Sequence, residues 1–242
     1  MGKRGSEVSR EAADLILLDD NFSTIVDTVN DGRRIYDNIR KAIGYVFVIH
    51  IPIAFASLLA PLLGISASSL LLLPVHVVLL ELLIDPTCSI VLERQPAESD
   101  IMNRKPRDPR EGILTSKVLV KSIIQGVVLF AASFGTYYYY LESGIELARS
   151  MGLAIIMISN LLLVQVNSSN SELAYKSIIK LRKDKVMWSV AIGTIVGLAI
   201  ILYTPLSGFL GLVPLGTSEI LKVCGISLVS ILWYEVVKLF KK

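Results

Sequence analysis

Of the 242 residues, 53% are hydrophobic and 19% charged, and the apolar ones fall in repeated runs of about 20, each long enough to cross a bilayer as a helix. That pattern excludes a soluble domain and predicts an all-α, multi-pass integral membrane protein whose first partner is the lipid bilayer. The net charge of +3 is small, no nucleic-acid partner is expected, and the two cysteines, Cys88 and Cys224, form no CxxC or CxC pair, which argues against a disulfide framework and a soft-metal thiolate site.

Residues 1–41 are polar and cytosolic in character. Leu15 to Leu18 make a short buried-strand pattern, closed by Asp19 and Asp20. Residues 21–34 read as a helix with Ser23 near its N-cap and Ile25, Val26 and Val29 at helical spacing. The pattern continues through Ile35, Tyr36 and Ile39, which predicts a stalk helix over 23–41 running on into the membrane. No cleavable signal peptide is visible, because the first apolar helix begins only near Ala42.

Six spans are expected within residues 42–242. The first covers 42–63 and contains His50, Pro52 and Pro61. Residues 64–69 are a short uncharged turn, and the second span covers 70–92. A basic, proline-rich loop leads to the third span at 117–140, whose four tyrosines at 137–140 read as an interfacial belt. Residues 141–149 read as a loop, and the remaining spans are expected at 150–167, 186–205 and 218–238, with a basic segment at 176–185.

The second span carries two acids, Glu81 and Asp85, four residues apart and so on one helix face. An Asp at bilayer depth costs at least about 2.5–3.5 kcal/mol and persists when paired, neutralised or functional. Pro86 follows at once. Its missing N–H leaves the Leu82 carbonyl without its usual helical partner. Two carboxyl groups and a freed carbonyl at one level suit a hard cation or a proton.

Lysine and arginine set the expected orientation. Seven fall in residues 1–41, seven in 93–121, five in 170–185 and three after 237. The segments 64–69 and 207–217 have none, and 141–149 has only Arg149. Positive residues stay inside, so both termini are expected in the cytosol, with the plasma membrane as the expected location. No internal repeat supports an inverted-repeat transporter.

Three stretches together resemble one family, the P-type cation-transporting ATPases, and in particular its calcium-pump-like type II branch. They are MGKRGSEVSREAADLILLDDNF at 1–22, DGRRIYDNIRK at 31–41 and DIMNRKPRDPREGIL at 100–114. The first resembles the end of the family's phosphorylation domain, the second the stalk into the fifth membrane helix, and the third the cytosolic loop after the sixth. The resemblance implies six transmembrane helices equivalent to the fifth to tenth of such a pump, preceded by a remnant of the phosphorylation domain at 1–22. The family's phosphorylated Asp-Lys-Thr-Gly motif is absent, as are its nucleotide and actuator domains. The chain is therefore expected to bind no cofactor and to be inactive alone; ATP and magnesium would serve the parent pump, and the missing N-terminal part is an expected partner.

The resemblance also implies an ion site. The family's fifth-helix Glu matches Ile53, and its Asn position matches His50. The sixth-helix Asn-x-x-Thr-Asp pattern becomes Glu81, Ile84 and Asp85, and the eighth-helix Glu matches Asn160. The expected cation-binding set is Glu81, Asp85, Asn160, His50 and the Leu82 carbonyl, with Glu81 and Asp85 as metal ligands. It suits one divalent cation or a proton better than two calcium ions. His50 can equally be a structural hydrogen-bonding histidine, and Asn160 helix–helix glue. His76 reads as structural, and Gln165 and Asn167 need no function. The basic loop at 104–110 is a membrane anchor or a contact for the phosphorylation domain. The function expected is that of the membrane transport domain of an ATP-driven cation pump. The alternatives are a stand-alone protein that regulates a pump, or a secondary transporter or channel, for which residues 1–30 have no use.

Overall fold

The computed structural model describes residues 2–108, 110–169, 173–180 and 184–240, without the side chains of Asp85, Thr87, Cys88, Ser89, Ser177 and Lys180. Helix α1 (Glu7–Glu11) is short, with the Ser6 hydroxyl accepting from Ser9 N. Helix α2 (Ser23–Leu62) is one continuous element of 40 residues that runs from the polar segment 23–41 into the first apolar run. Helix α3 (Pro74–Pro86) passes directly into a π-helical turn (Thr87–Leu92). Then come α4 (Ser116–Tyr140), α5 (Ile145–Asn167), α6 (Ala174–Lys180), α7 (Lys185–Tyr203), α8 (Leu206–Phe209) and α9 (Thr217–Phe240). Among the described residues, six helical stretches are long and apolar enough to cross a membrane, beginning at Ser23, Ala67, Ser116, Ile145, Lys185 and Thr217.

Two expectations need correction. Residues 15–18 form no strand; Leu15 and Leu18 are exposed, and the Leu17 carbonyl accepts from the N–H groups of Gly2 and Asp20. A lone apolar strand has no neighbour to pair with among the described residues. The expected loop at 141–149 is a turn at Leu141–Ser143 followed by the start of α5. Arg149 therefore stands inside a helix, and it is buried. The tyrosine run divides: Tyr137 is fully buried and bonds the Ser69 carbonyl, whereas Tyr138 and Tyr139 are exposed.

Helix α5 is the centre of the bundle, buried on almost every side against α4, α9, α2 and α7. Its small residues Ala148, Ser150, Gly152, Ala154 and Ser159 let neighbouring backbones approach, the usual way helices pack without a hydrophobic drive. The same holds between α2 and α4. A Cβ on Gly126 would lie 2.6 Å from Ile51 Cδ1, and Ser122 Oγ donates to the Gly44 carbonyl at 2.8 Å.

Arg149 ties the uncharged end together. Its guanidinium donates to the carbonyls of Leu70 (2.9 Å), Gly211 (2.9 Å) and Ser68 (2.8 Å). Gly211 has φ +62°, and a Cβ there would meet the guanidinium. His76 adds a second tie: its Nδ1 accepts from Leu73 N at 3.1 Å and its Nε2 donates to Leu210 O at 2.8 Å.

The basic end is held by charges. Glu98 lies 3.0 Å from Lys41 Nζ and 2.6 Å from Arg104, which also reaches Asp37 at 2.6 Å. Asn38 Nδ2 donates to Glu93 O and Gln95 O, fixing the loop on the stalk. Burial pushes the Glu98 carboxyl up, but Lys41 and Arg104 together hold it below its ordinary value of 4.5. A lowered carboxyl stabilises the folded state above its ordinary value and loses that contribution as pH falls through the lowered one. The loop should therefore stay docked down to mildly acidic pH and loosen only below 4.5. A spin label on Met102→Cys should sharpen there; sharpening already near neutrality would contradict the latch.

Candidate cation site

Glu81 lies on α3 one helical turn before Pro86, and the ladder after that proline widens into the π-helical turn. A proline removes one helical N–H, and π geometry is common beside functional positions. Leu82 turns its side chain outward, so only its carbonyl remains available to a site. The side chain of Asp85 lies outside the described residues. Among the described residues no group of three His, Cys, Asp or Glu side chains converges.

What the fold brings to Glu81 is His50 of α2, with Nε2 3.4 Å from Oε1. His50 Nδ1 lies 2.8 Å from the Val46 carbonyl. A carbonyl has no proton to give, so Nδ1 carries one and donates it. The contact between Nε2 and the carboxyl then needs a proton on one partner or the other. Both side chains are partly exposed on the outer face of α2 and α3, 48% and 33%.

Asn160 of α5 is deeply buried, and neither atom of its amide has a hydrogen-bond partner among the described residues. The sequence reading missed a second residue of this kind. Gln125 of α4 is equally buried and its amide is also unpartnered, as is the Ser159 hydroxyl. A lone amide in the middle of an apolar run was the signal for Gln125.

Helix register puts these groups near one depth. Gly126 abuts Ile51, so Gln125 stands level with His50. Gly152 faces Ser133 and Tyr137, while Asn167 lines a cavity with Val118 and Ser122. Interpolating between those contacts on antiparallel α4 and α5 sets Asn160 opposite Gln125. An unsatisfied polar group in hydrocarbon costs several kcal/mol, and the two amides and the hydroxyl have no partner among the described residues. Ile53 and Ile84 offer no donor, and Ile84 is buried in the core.

Residues 69–240 match the family model described as cation transporting ATPase, C-terminus. The chain is 29% identical over 230 residues to the calcium-transporting ATPase of Bacillus subtilis (strain 168), covering 94% of this chain and 25% of that protein. It is 39% identical over 158 residues to the sodium/potassium-transporting ATPase subunit alpha-2 of Gallus gallus, covering 64% of this chain and 15% of that one. Against the calcium-transporting ATPase 1 of Bacillus cereus (strain ATCC 10987 / NRS 248) the identity is 28% over 262 residues, across 100% of this chain and 29% of the relative. The chain spans less than a third of the length of each. On a match that takes in all but the first of its spanning helices, and on six helices of the expected kind, the chain belongs to the P-type cation-transporting ATPases and carries their C-terminal membrane part.

Proposed function

We propose that the chain is the ion-translocating membrane part of an ATP-driven cation pump, and that it binds one cation, a divalent metal or a proton, at the level of Glu81. The His50–Glu81 contact carries this reading: a carboxyl group at bilayer depth, already matched with a proton-bearing partner. Asp85, one turn further along α3, and the Leu82 carbonyl would add oxygen ligands. Asn160, and with it Gln125, would supply neutral oxygens from the buried side. A hard divalent ion takes six to eight oxygens, which two carboxylates, two amides, a carbonyl and water can supply.

The exposed face of α2 and α3 supports a further part of the reading. A half-exposed carboxyl would be costly against lipid, and a pump longer than this chain would cover it. The basic ends of the helices face the cytosol by the positive-inside rule. Residues 1–22 would belong to the phosphorylation domain of such a pump, and its movements would reach the site through the continuous helix α2. ATP and magnesium would act in that domain, because this chain has no Asp-Lys-Thr-Gly motif.

The test is equilibrium binding of radiolabelled calcium and manganese to the chain in nanodiscs. Saturable binding of one of them, weakened by acid because protons compete at Glu81, is expected. No saturable binding of any probe, with no proton uptake between acidic and neutral pH, would overturn the site.

A further inference from the structure

The uncharged end of the bundle closes over a histidine. His76 is the third residue of α3 and is fully buried. Its Nδ1 accepts from the N–H of Leu73, the residue just before the helix, at 3.1 Å. A Glu or Gln at the third helical position makes the same reach back in a capping box. From the other side of the ring, Nε2 donates to the Leu210 carbonyl at 2.8 Å, 134 residues along the chain. Leu210 belongs to the connection between α7 and α9, which includes α8. Arg149, Ser150 and Tyr203 hold the same connection, at the Gly211 carbonyl, the Val213 N–H and the Leu215 carbonyl.

We propose that His76 is an acid-opened latch between the start of α3 and the α7–α9 connection. One tautomer alone makes both bonds, with Nδ1 bare and the proton on Nε2. A second proton goes to Nδ1, which then faces the Leu73 N–H donor to donor, and that bond is lost. The charged ring also stands beside the Arg149 guanidinium, because the two donate to consecutive carbonyls, Leu210 and Gly211. Like charges so close repel, and arginine does not give up its own. The ionisable groups on the elements around the ring are Tyr137 of α4, Glu142, Glu146 and Arg149 at and before the start of α5, Tyr203 of α7 and Glu219 of α9; residues 51–62 of α2 and all of α8 bring none. Of these, Arg149 is the one that acts on the ring, so no carboxylate compensates an added charge. Once this end opens, the ring takes up its proton in water. The open state therefore binds more protons than the closed one, and acid favours it.

Glutamine separates the bonds from the proton. Its amide oxygen accepts as Nδ1 does and its NH₂ group donates as Nε2 does, but it has no proton to gain in this range. His76→Gln should therefore keep the end closed and make it indifferent to acid. The latch uses none of the cation-site residues.

The test is a spin label on Phe209→Cys, an exposed position next to Leu210, in the chain carrying Cys88→Ser and Cys224→Ser in nanodiscs. As the pH falls from about 8 to about 4.5, the mobile fraction of the label should rise about fivefold, the equivalent of one net hydrogen bond. His76→Gln should remove that rise, with helical circular dichroism as the check that it folds. A label indifferent to pH with His76 in place, or the same rise in folded His76→Gln, would overturn the latch. If the variant does not fold, nitrogen NMR of the imidazoles decides with His76 in place. The other histidine of the chain, His50, carries its proton on Nδ1, so the ring with a bare Nδ1 is His76. That ring should gain its proton together with the loosening of the label. A ring that becomes charged while the label stays immobile, or stays neutral while the label loosens, would overturn the latch as well.

Discussion

Arg149→Met should be the most destabilising single change outside the cation site. The guanidinium donates to three backbone carbonyls from two stretches far apart in sequence, Ser68 and Leu70 in one and Gly211 in the other. Each hydrogen bond from a charged donor contributes about 1.5–3 kcal/mol, and a buried carbonyl left without a donor costs about 1–3 kcal/mol. Relief of a desolvated charge offsets part of that loss, so a net cost of about 3 kcal/mol is expected. Arg149→Lys should recover little, because an ammonium cannot span three carbonyls as a planar fork does. Urea unfolding in mixed micelles measures the difference. An unchanged midpoint for the Met variant would mean that α5 packing alone holds the uncharged end.

Glu81→Gln should have the largest effect on ligand binding. The amide keeps the shape of the side chain and can still meet His50 Nε2, but it removes the charge and the exchangeable proton. Truncating one partner of a buried charged contact costs about 2–5 kcal/mol, at least about thirtyfold in affinity. Glu81 is partly exposed in the isolated chain, so the lower end of that range applies. Asn160→Leu and Gln125→Leu should each weaken binding less, because neutral oxygens contribute less to a cation than a carboxylate. Radiolabelled cation binding to the variants in nanodiscs gives the order; an unaltered affinity in Glu81→Gln would move the site elsewhere in the bundle.

The spans were legible because each is a long apolar run bounded by lysine, arginine or a polar turn, and because a bilayer admits little besides helix. The continuity of α2 from stalk to span was legible in its unbroken helical spacing. Arg149 was misread because a charge beside a short polar segment looks like loop. Its burial depends on three carbonyls that no local pattern announces. Pro86 marked the break in α3, but not that the ladder would widen rather than kink.

The acid at Glu81 was legible from hydropathy alone, and its partner was not. His50 and Glu81 lie at nearly equal sequence distances on either side of the 64–69 turn, so an antiparallel hairpin about that turn brings them together. Which faces meet depends on the packing of α2 and α3 against α4 and α5. Gln125 was passed over because one amide within a span is unremarkable until its depth relative to Asn160 is known.

Proton release on cation binding tests the central claim most directly. The chain in nanodiscs, in weakly buffered medium with a pH indicator, receives the cation that binds best in the equilibrium assay. The account predicts that the cation competes with protons at its site, so that binding releases a proton, and that Glu81→Gln abolishes the release while leaving the fold intact. Cation binding with no proton release, or release undiminished in Glu81→Gln, would contradict it.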